Sequence, residues 1–128
     1  MLEGRCLCGG VRYQVTGTPT LMAHCHCTRC QRSGGASNGT VVAVKPEDYK
    51  VVQGEDLLHR YEEEGFTPRV SCARCGSSLY HGSVFIEAGT LTTDPGMRPT
   101  MHIMVNFKAP WHEITDKLPQ YGEWPPKN

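Results

Sequence analysis

The sequence lacks an excess of charge of either sign, with 13 lysines and arginines against 13 aspartates and glutamates. It has no long run of Lys and Arg, which argues against a nucleic-acid partner. No stretch approaches the roughly 20 apolar residues that a membrane-spanning helix requires. The opening segment MLEGRCLCGG lacks the apolar core of a signal peptide. We therefore expect a soluble, cytoplasmic protein with neither a nucleic-acid nor a membrane partner.

Long stretches with a helical period are also missing, which disfavours a helical fold. Instead, 14 glycines and 9 prolines divide the 128 residues into short segments rich in β-branched and aromatic residues. In one of them, Val11, Tyr13 and Val15 alternate and share a strand face. Further strands are predicted at 38–44, 49–54, 57–63, 66–72, 77–82, 83–91 and 101–107. With short helical turns at Pro46 and after Cys27, the pattern predicts one mostly-β domain.

Cysteine is abundant, with seven residues in the chain. An odd number cannot all pair as disulfides within the chain, and a reducing compartment disfavours disulfides altogether. The cysteines fall into three groups: Cys6 and Cys8; Cys25, Cys27 and Cys30; Cys72 and Cys75. Pairs at such spacings let one tight turn present two sulfurs to one ion, so the pattern indicates zinc.

Glycine distinguishes the outer cysteine pairs from the central group. Gly9 and Gly76 directly follow the two outer pairs, and glycine permits the positive φ that a backbone curling around a metal often needs. The central group has no such glycine. This asymmetry predicts one closed four-sulfur site, which would tie the first strand to the region 66–79 across a long loop. Its ligands would be Cys6, Cys8, Cys72 and Cys75.

The central group then has three sulfurs of its own, Cys25, Cys27 and Cys30. Three protein ligands with a fourth position open are typical of catalytic zinc. In one alternative, His24, His26 or a distant histidine completes a second structural site; in another, two of the thiols are oxidised to each other. On a strand or tight turn, His24 and His26 point away from Cys25 and Cys27, which favours a role outside the ligand set.

Three thiolates donate strongly, so the site favours a soft fourth ligand such as a substrate thiol over a peptidase-like water. His24 and His26 are the nearest groups that could move its proton. Arg29 and Arg32 could pair with a substrate carboxylate, although solvated surface arginines are the favoured interpretation. Three further histidines near predicted strands could line the same cleft: His81, His102 and His112.

Four segments of the chain resemble one known family. They read GRCLCGGVRY, HCHCTRCQRSGG, VSCARCGSSLY and HIMVNFKAPWHEITDKLPQYGEWP, and they are similar to the glutathione-dependent formaldehyde-activating enzymes, a family that includes centromere protein V. The resemblance implies a zinc-containing, Mss4-like β-tent as a single domain over residues 2–125. It also implies a structural zinc on the outer cysteine pairs and a catalytic zinc on Cys25, Cys27 and Cys30.

The activity that gives this family its name joins glutathione to formaldehyde and is classed as that of a carbon–sulfur lyase. By resemblance, we expect a zinc-dependent enzyme acting on adducts of a small thiol, with glutathione a candidate, and a small aldehyde. Two zinc ions per chain are expected, the second held more weakly. The alternatives are a non-catalytic zinc module that binds a partner protein, and a redox or metal-storage role. Exposed strand edges are compatible with a homodimer.

Overall fold

The structure is a computed structural model that describes residues 1–127. Most of the regular structure is β, with one α-helix among these residues. The elements are β1 (Leu2–Arg5), β2 (Arg12–Val15), β3 (Leu21–Cys25), α1 (Thr28–Gly34), β4 (Gly39–Ala43), β5 (Tyr49–Gln53), β6 (Leu58–Tyr61), β7 (Arg69–Cys72), β8 (Ser78–His81), β9 (Phe85–Glu87) and β10 (His102–Ile103). Within the described chain, the helical segment is too short and too polar for a membrane span.

The strands form two sheets. The smaller has the order β1-β2-β5, and the larger has the order β10-β3-β4-β9-β8-β7-β6. All pairs are antiparallel except β10 with β3, which run parallel. The mostly-β architecture expected from the sequence is confirmed.

The main core lies where residues of the two sheets meet. Val11, Tyr13 and Val15 are at most 1% exposed, so the predicted alternation along β2 is correct. They belong to the same buried cluster as Leu79 of β8 and Ile86 of β9. Removal of this apolar surface from water is the main term that stabilises the fold.

The prediction of a strand over 101–107 is wrong beyond Ile103. The backbone turns at Met104, which adopts a φ of 58°, and a 3₁₀ turn follows over Val105–Phe107. The returning tail supplies the reason, since the amides of Met104 and Val105 donate to carbonyls of Glu123 and Tyr121. The tail therefore accepts the amide hydrogen bonds that a continued strand would give to a neighbour.

The sequence pattern also fails to predict β1. Its Gly4 lies so close to the buried ring of Tyr13 that an added Cβ would come within 2.2 Å of ring atoms. A short strand with glycine at its only buried position has no hydrophobic alternation to reveal it. The two predicted helical turns are confirmed, as α1 after Cys27 and as a 3₁₀ turn at Pro46–Asp48.

Candidate metal centres

The outer cysteine pairs meet in one cluster, hereafter the quartet. Cys6 and Cys8 lie in the turn after β1, while Cys72 ends β7 and Cys75 lies in the next turn. Their four sulfurs all lie within 4.8 Å of one another. The glycines that follow both pairs adopt positive φ, 76° at Gly9 and 80° at Gly76, as the sequence argument requires.

The donor set of the quartet fits a four-coordinate metal ion. Its sulfurs are 3.5 Å apart for Cys6 and Cys8 and 3.9 Å for Cys8 and Cys72, close to the ~3.8 Å edge of a tetrahedron with zinc–sulfur bonds of about 2.3 Å. All seven cysteines are free thiols. The amide of Gly10 and the guanidinium of Arg74 donate to Cys8 Sγ and lower the pKa of that thiol. These contacts favour the thiolate, which is the form that binds metal.

The central cysteines form a second cluster, hereafter the trio, in which the three sulfurs also lie within 4.8 Å of one another. Cys25 is the last residue of β3, Cys27 is the N-cap of α1, and Cys30 lies in its first turn. The Cys30 amide donates to Cys27 Sγ at 3.2 Å. Hydrogen bonds from the thiols of Cys25 and Cys30 lower the pKa of Cys27 well below its usual value. One thiolate is thus already favoured, and three sulfurs in this arrangement could hold a metal ion.

The histidines beside the trio point elsewhere. His24 Nδ1 lies 2.9 Å from Thr40 Oγ1. His26 is fully buried, and its Nε2 lies 2.8 Å from Nδ1 of His102. Nε2 of His102 lies 2.9 and 3.0 Å from the two carboxylate oxygens of Asp116. Between residues 1 and 127, neither metal-ligand group includes a histidine or a carboxylate.

The trio lies in the wall of a cavity of about 240 Å³. The rest of the lining is largely apolar and includes Phe85, Ile103, Met104 and Trp124. A second, more polar cavity of about 510 Å³ is lined by Arg32, Ser33, Tyr61 and Glu63, among others. Arg29 and Arg69 line both cavities, so the two spaces adjoin along these side chains.

Of the two arginines singled out from the sequence, one forms an ion pair and the other is exposed. Arg29 Nη1 lies 2.8 Å from Glu63 Oε1, and its guanidinium lies 3.9 Å from the ring centroid of Phe66. Arg32 is exposed at the mouth of the larger cavity. Arg29 thus already has an acidic partner and is only partly exposed, whereas the sequence favoured a solvated surface arginine.

Three polar residues near the trio form a group that sequence reasoning identified only in part. Arg69, His81 and Glu87 come from β7, β8 and β9, and their side chains are 14%, 13% and 20% exposed. Burial lowers the pKa of His81 to about 4 and raises that of Glu87 to about 7. Of the three histidines that could line the cleft, His81 lines the trio cavity, whereas His102 and His112 are not among its lining residues. The available sequence signal for Arg69 and Glu87 was a charged residue within each of the predicted strands 66–72 and 83–91.

Comparison with known proteins agrees with this picture. Residues 1–106 match the sequence model of a family described as glutathione-dependent formaldehyde-activating enzyme. Two relatives carry the name "Putative glutathione-dependent formaldehyde-activating enzyme". The one from Halomonas elongata is 29% identical, over 91% of this chain and 83% of the relative. The one from Podospora anserina is 32% identical, over 59% of this chain but only 37% of the relative.

A solved structure supports the fold. The crystal structure of a Rhodobacter sphaeroides protein superimposes with a TM-score of 0.60 at 23% sequence identity, covering 76% of this chain and 91% of the other. At that identity, the likeness concerns the architecture alone. With the two sheets and the family match, it confirms the expected Mss4-like β-tent class.

Proposed function

The chain belongs to the glutathione-dependent formaldehyde-activating enzyme family, and from that premise we propose that it catalyses the reversible addition of a small thiol to a small aldehyde. Glutathione and formaldehyde are the pair that the family's name specifies. In the reverse direction, the enzyme would act as a carbon–sulfur lyase. The observation that carries the proposal is the position of three convergent thiols in the wall of a largely apolar cavity.

The residues that would hold the catalytic zinc are Cys25, Cys27 and Cys30, while the quartet would hold a structural zinc. Zinc at the trio would supply Lewis-acid chemistry and favour the ionised form of a substrate thiol. The donor set supports this assignment because thiolate ligands select zinc among the common divalent ions. The trio offers no side-chain oxygen, so calcium and magnesium, which take oxygen ligands, fit it poorly.

The rest of the cavity would orient the reactants and exclude water. Phe85 and Trp124, whose ring centroids are 6.1 Å apart, line the trio cavity and would supply its apolar surface. The adjoining polar cavity has room for the remainder of a thiol of tripeptide size. This division would place the sulfur of the substrate near the trio and its polar groups near Arg32 and Ser33.

The test measures exchange between a free thiol and its hydroxymethyl adduct by NMR, with the uncatalysed rate subtracted. The wild-type protein should accelerate exchange, and Cys27→Ser should abolish the acceleration. The matched control is Cys8→Ser, which alters the quartet; assayed well below its melting temperature, it should retain turnover. Metal analysis under reducing conditions should find two zinc ions per wild-type chain.

A non-catalytic zinc module for a partner protein is the competing proposal. It predicts one tightly held ion, a trio that is inert to added thiol, and no acceleration of exchange in the wild type. Unchanged turnover in Cys27→Ser would instead show that any catalysis occurs without the trio.

A further inference from the structure

Arg69 lies beside the trio with its side chain 14% exposed, and one of its buried N–H donors has no partner within the described chain. Its Nη2 donates to Cys30 Sγ at 3.5 Å, an ordinary distance for a hydrogen bond to sulfur. Its Nη1 lies 4.0 Å from Glu87 Oε1, beyond hydrogen-bond distance. Its Nε is buried and has no partner within the described chain. An arginine with so little exposed surface normally has its N–H donors satisfied.

The charge of Arg69 faces the sulfurs of the trio on one side and a carboxylate on the other. Glu87 is the nearest carboxylate, but burial raises its pKa to about 7, so near neutral pH it is not fully ionised. His81 faces the same carboxylate, with Nε2 3.9 Å from Oε1, and this nitrogen has no hydrogen-bond partner among residues 1–127. Within the described chain, neither the trio nor Glu87 occupies Nε of Arg69, so this donor is available to an oxygen atom of a ligand. Because Arg69 lines both cavities, a ligand entering either space can reach it.

We propose that Arg69 is the catalytic residue that binds the aldehyde oxygen while that oxygen becomes an alkoxide. The inference deepens the proposed function and depends on it. The thiolate sulfur forms a bond to the carbonyl carbon, and the C=O π electrons move onto oxygen. The guanidinium donates hydrogen bonds to that oxygen, whose negative charge is greatest after the attack. The alkoxide then takes a proton from water, replacing the proton that the thiol released, so no oxidant or reductant is needed.

The test separates this role from recognition of a carboxylate on the thiol. Arg69→Gln and Arg69→Lys are compared with wild type, using glutathione and cysteamine, a thiol that has no carboxylate. Arg69→Gln should lower kcat by about 10²–10³-fold with both thiols, and the KM for each thiol should stay near the wild-type value. Arg69→Lys, which retains the charge but not the planar fork, should recover part of the loss. The control, Arg60→Gln on exposed β6, should match wild type.

Two activity-independent readouts accompany the kinetics. Zinc content should be unchanged in Arg69→Gln, which shows that the loss does not arise from a damaged trio. Formate, a small oxyanion, should perturb the fluorescence of Trp124 in a Trp111→Phe background, where it is the only remaining tryptophan of the two. Arg69→Gln should abolish that response.

Three results would overturn the inference. They are a kcat loss confined to glutathione, turnover of Arg69→Gln equal to that of Arg60→Gln, and formate binding that is insensitive to Arg69. If the wild type fails to accelerate exchange for either thiol, the proposed function fails independently of this inference. A formate response that still depends on Arg69 would then preserve the anion site but not its catalytic role.

Discussion

Replacing Cys8 with serine should lower the melting temperature about twice as much as replacing Cys27 with serine. Cys8 is exposed, so the new hydroxyl is not buried and the effect reports the loss of the metal cross-link. Cys27 is the N-cap of α1, and serine is a favoured N-cap residue. Serine at either position therefore keeps local structure while removing a thiolate.

The expected loss of stability in each variant depends on the length of the loop that the metal cross-link closes. The two halves of the quartet are separated by 64 positions, as between Cys8 and Cys72. A cross-link of that span restricts the unfolded chain by about 4 kcal/mol, if a metal cross-link is treated like a covalent one. The trio lies within residues 25–30, and so short a loop gives only about 2 kcal/mol by the same relation.

The assay is thermal unfolding followed by circular dichroism in reducing, zinc-supplemented buffer, with metal content measured in parallel. For 128 residues, about 4 °C per kcal/mol translates the two values into falls of roughly 16 °C and roughly 8 °C. Each variant should also lose one ion. Equal falls, or a larger fall for Cys27→Ser, would refute the division into a cluster that secures the fold and a cluster that does chemistry.

Two further predictions concern the hydrogen-bonded pair His26–His102 and the buried carboxyl of Glu87. His102→Leu should leave the ring of buried His26 without a hydrogen-bond partner and lower the free energy of unfolding by about 1–3 kcal/mol. Thermal unfolding measures this against the exposed control His59→Leu. Equal stabilities of the two variants would contradict the prediction. The pKa of Glu87 is raised from 4.5 to about 7 in the folded protein, so its contribution to stability is present below pH 4.5 and is lost as the pH rises toward 7. Glu87→Gln should remove this decline from the unfolding free energy measured against pH, and an unchanged profile would count against the shifted pKa.

The hydrogen-bonded series Asp116–His102–His26 connects the C-terminal segment to the backbone that carries the trio. The amide of His26 donates to the carbonyl of Ile103 at 3.0 Å, and β10 pairs in register with β3 so that Ile103 lies opposite Cys25. Gln31 of α1 donates to the carbonyls of both His26 and Phe107. Residues distant in sequence therefore hold the backbone on which Cys25 and Cys27 lie.

The sequence alone determined the grouping of the cysteines and the mostly-β character. Cysteine spacing and the two glycines act within a few residues, since a tight turn needs only local backbone freedom to present two sulfurs. The strand face of Val11, Tyr13 and Val15 was equally readable, because alternation is a local consequence of strand geometry. The separation of His24 and His26 from the trio followed from the same local geometry.

Tertiary structure alone decided what surrounds the trio. Arg69, His81 and Glu87 come from three strands that neighbour one another in the sheet, and no local pattern specifies which side chains meet across strands. The end of β10 at Ile103 depends on a tail some twenty residues further along. Burial, unlike spacing, depends on the whole fold. Within residues 1–127, it is burial that leaves Nε of Arg69 without a partner and raises the pKa of Glu87.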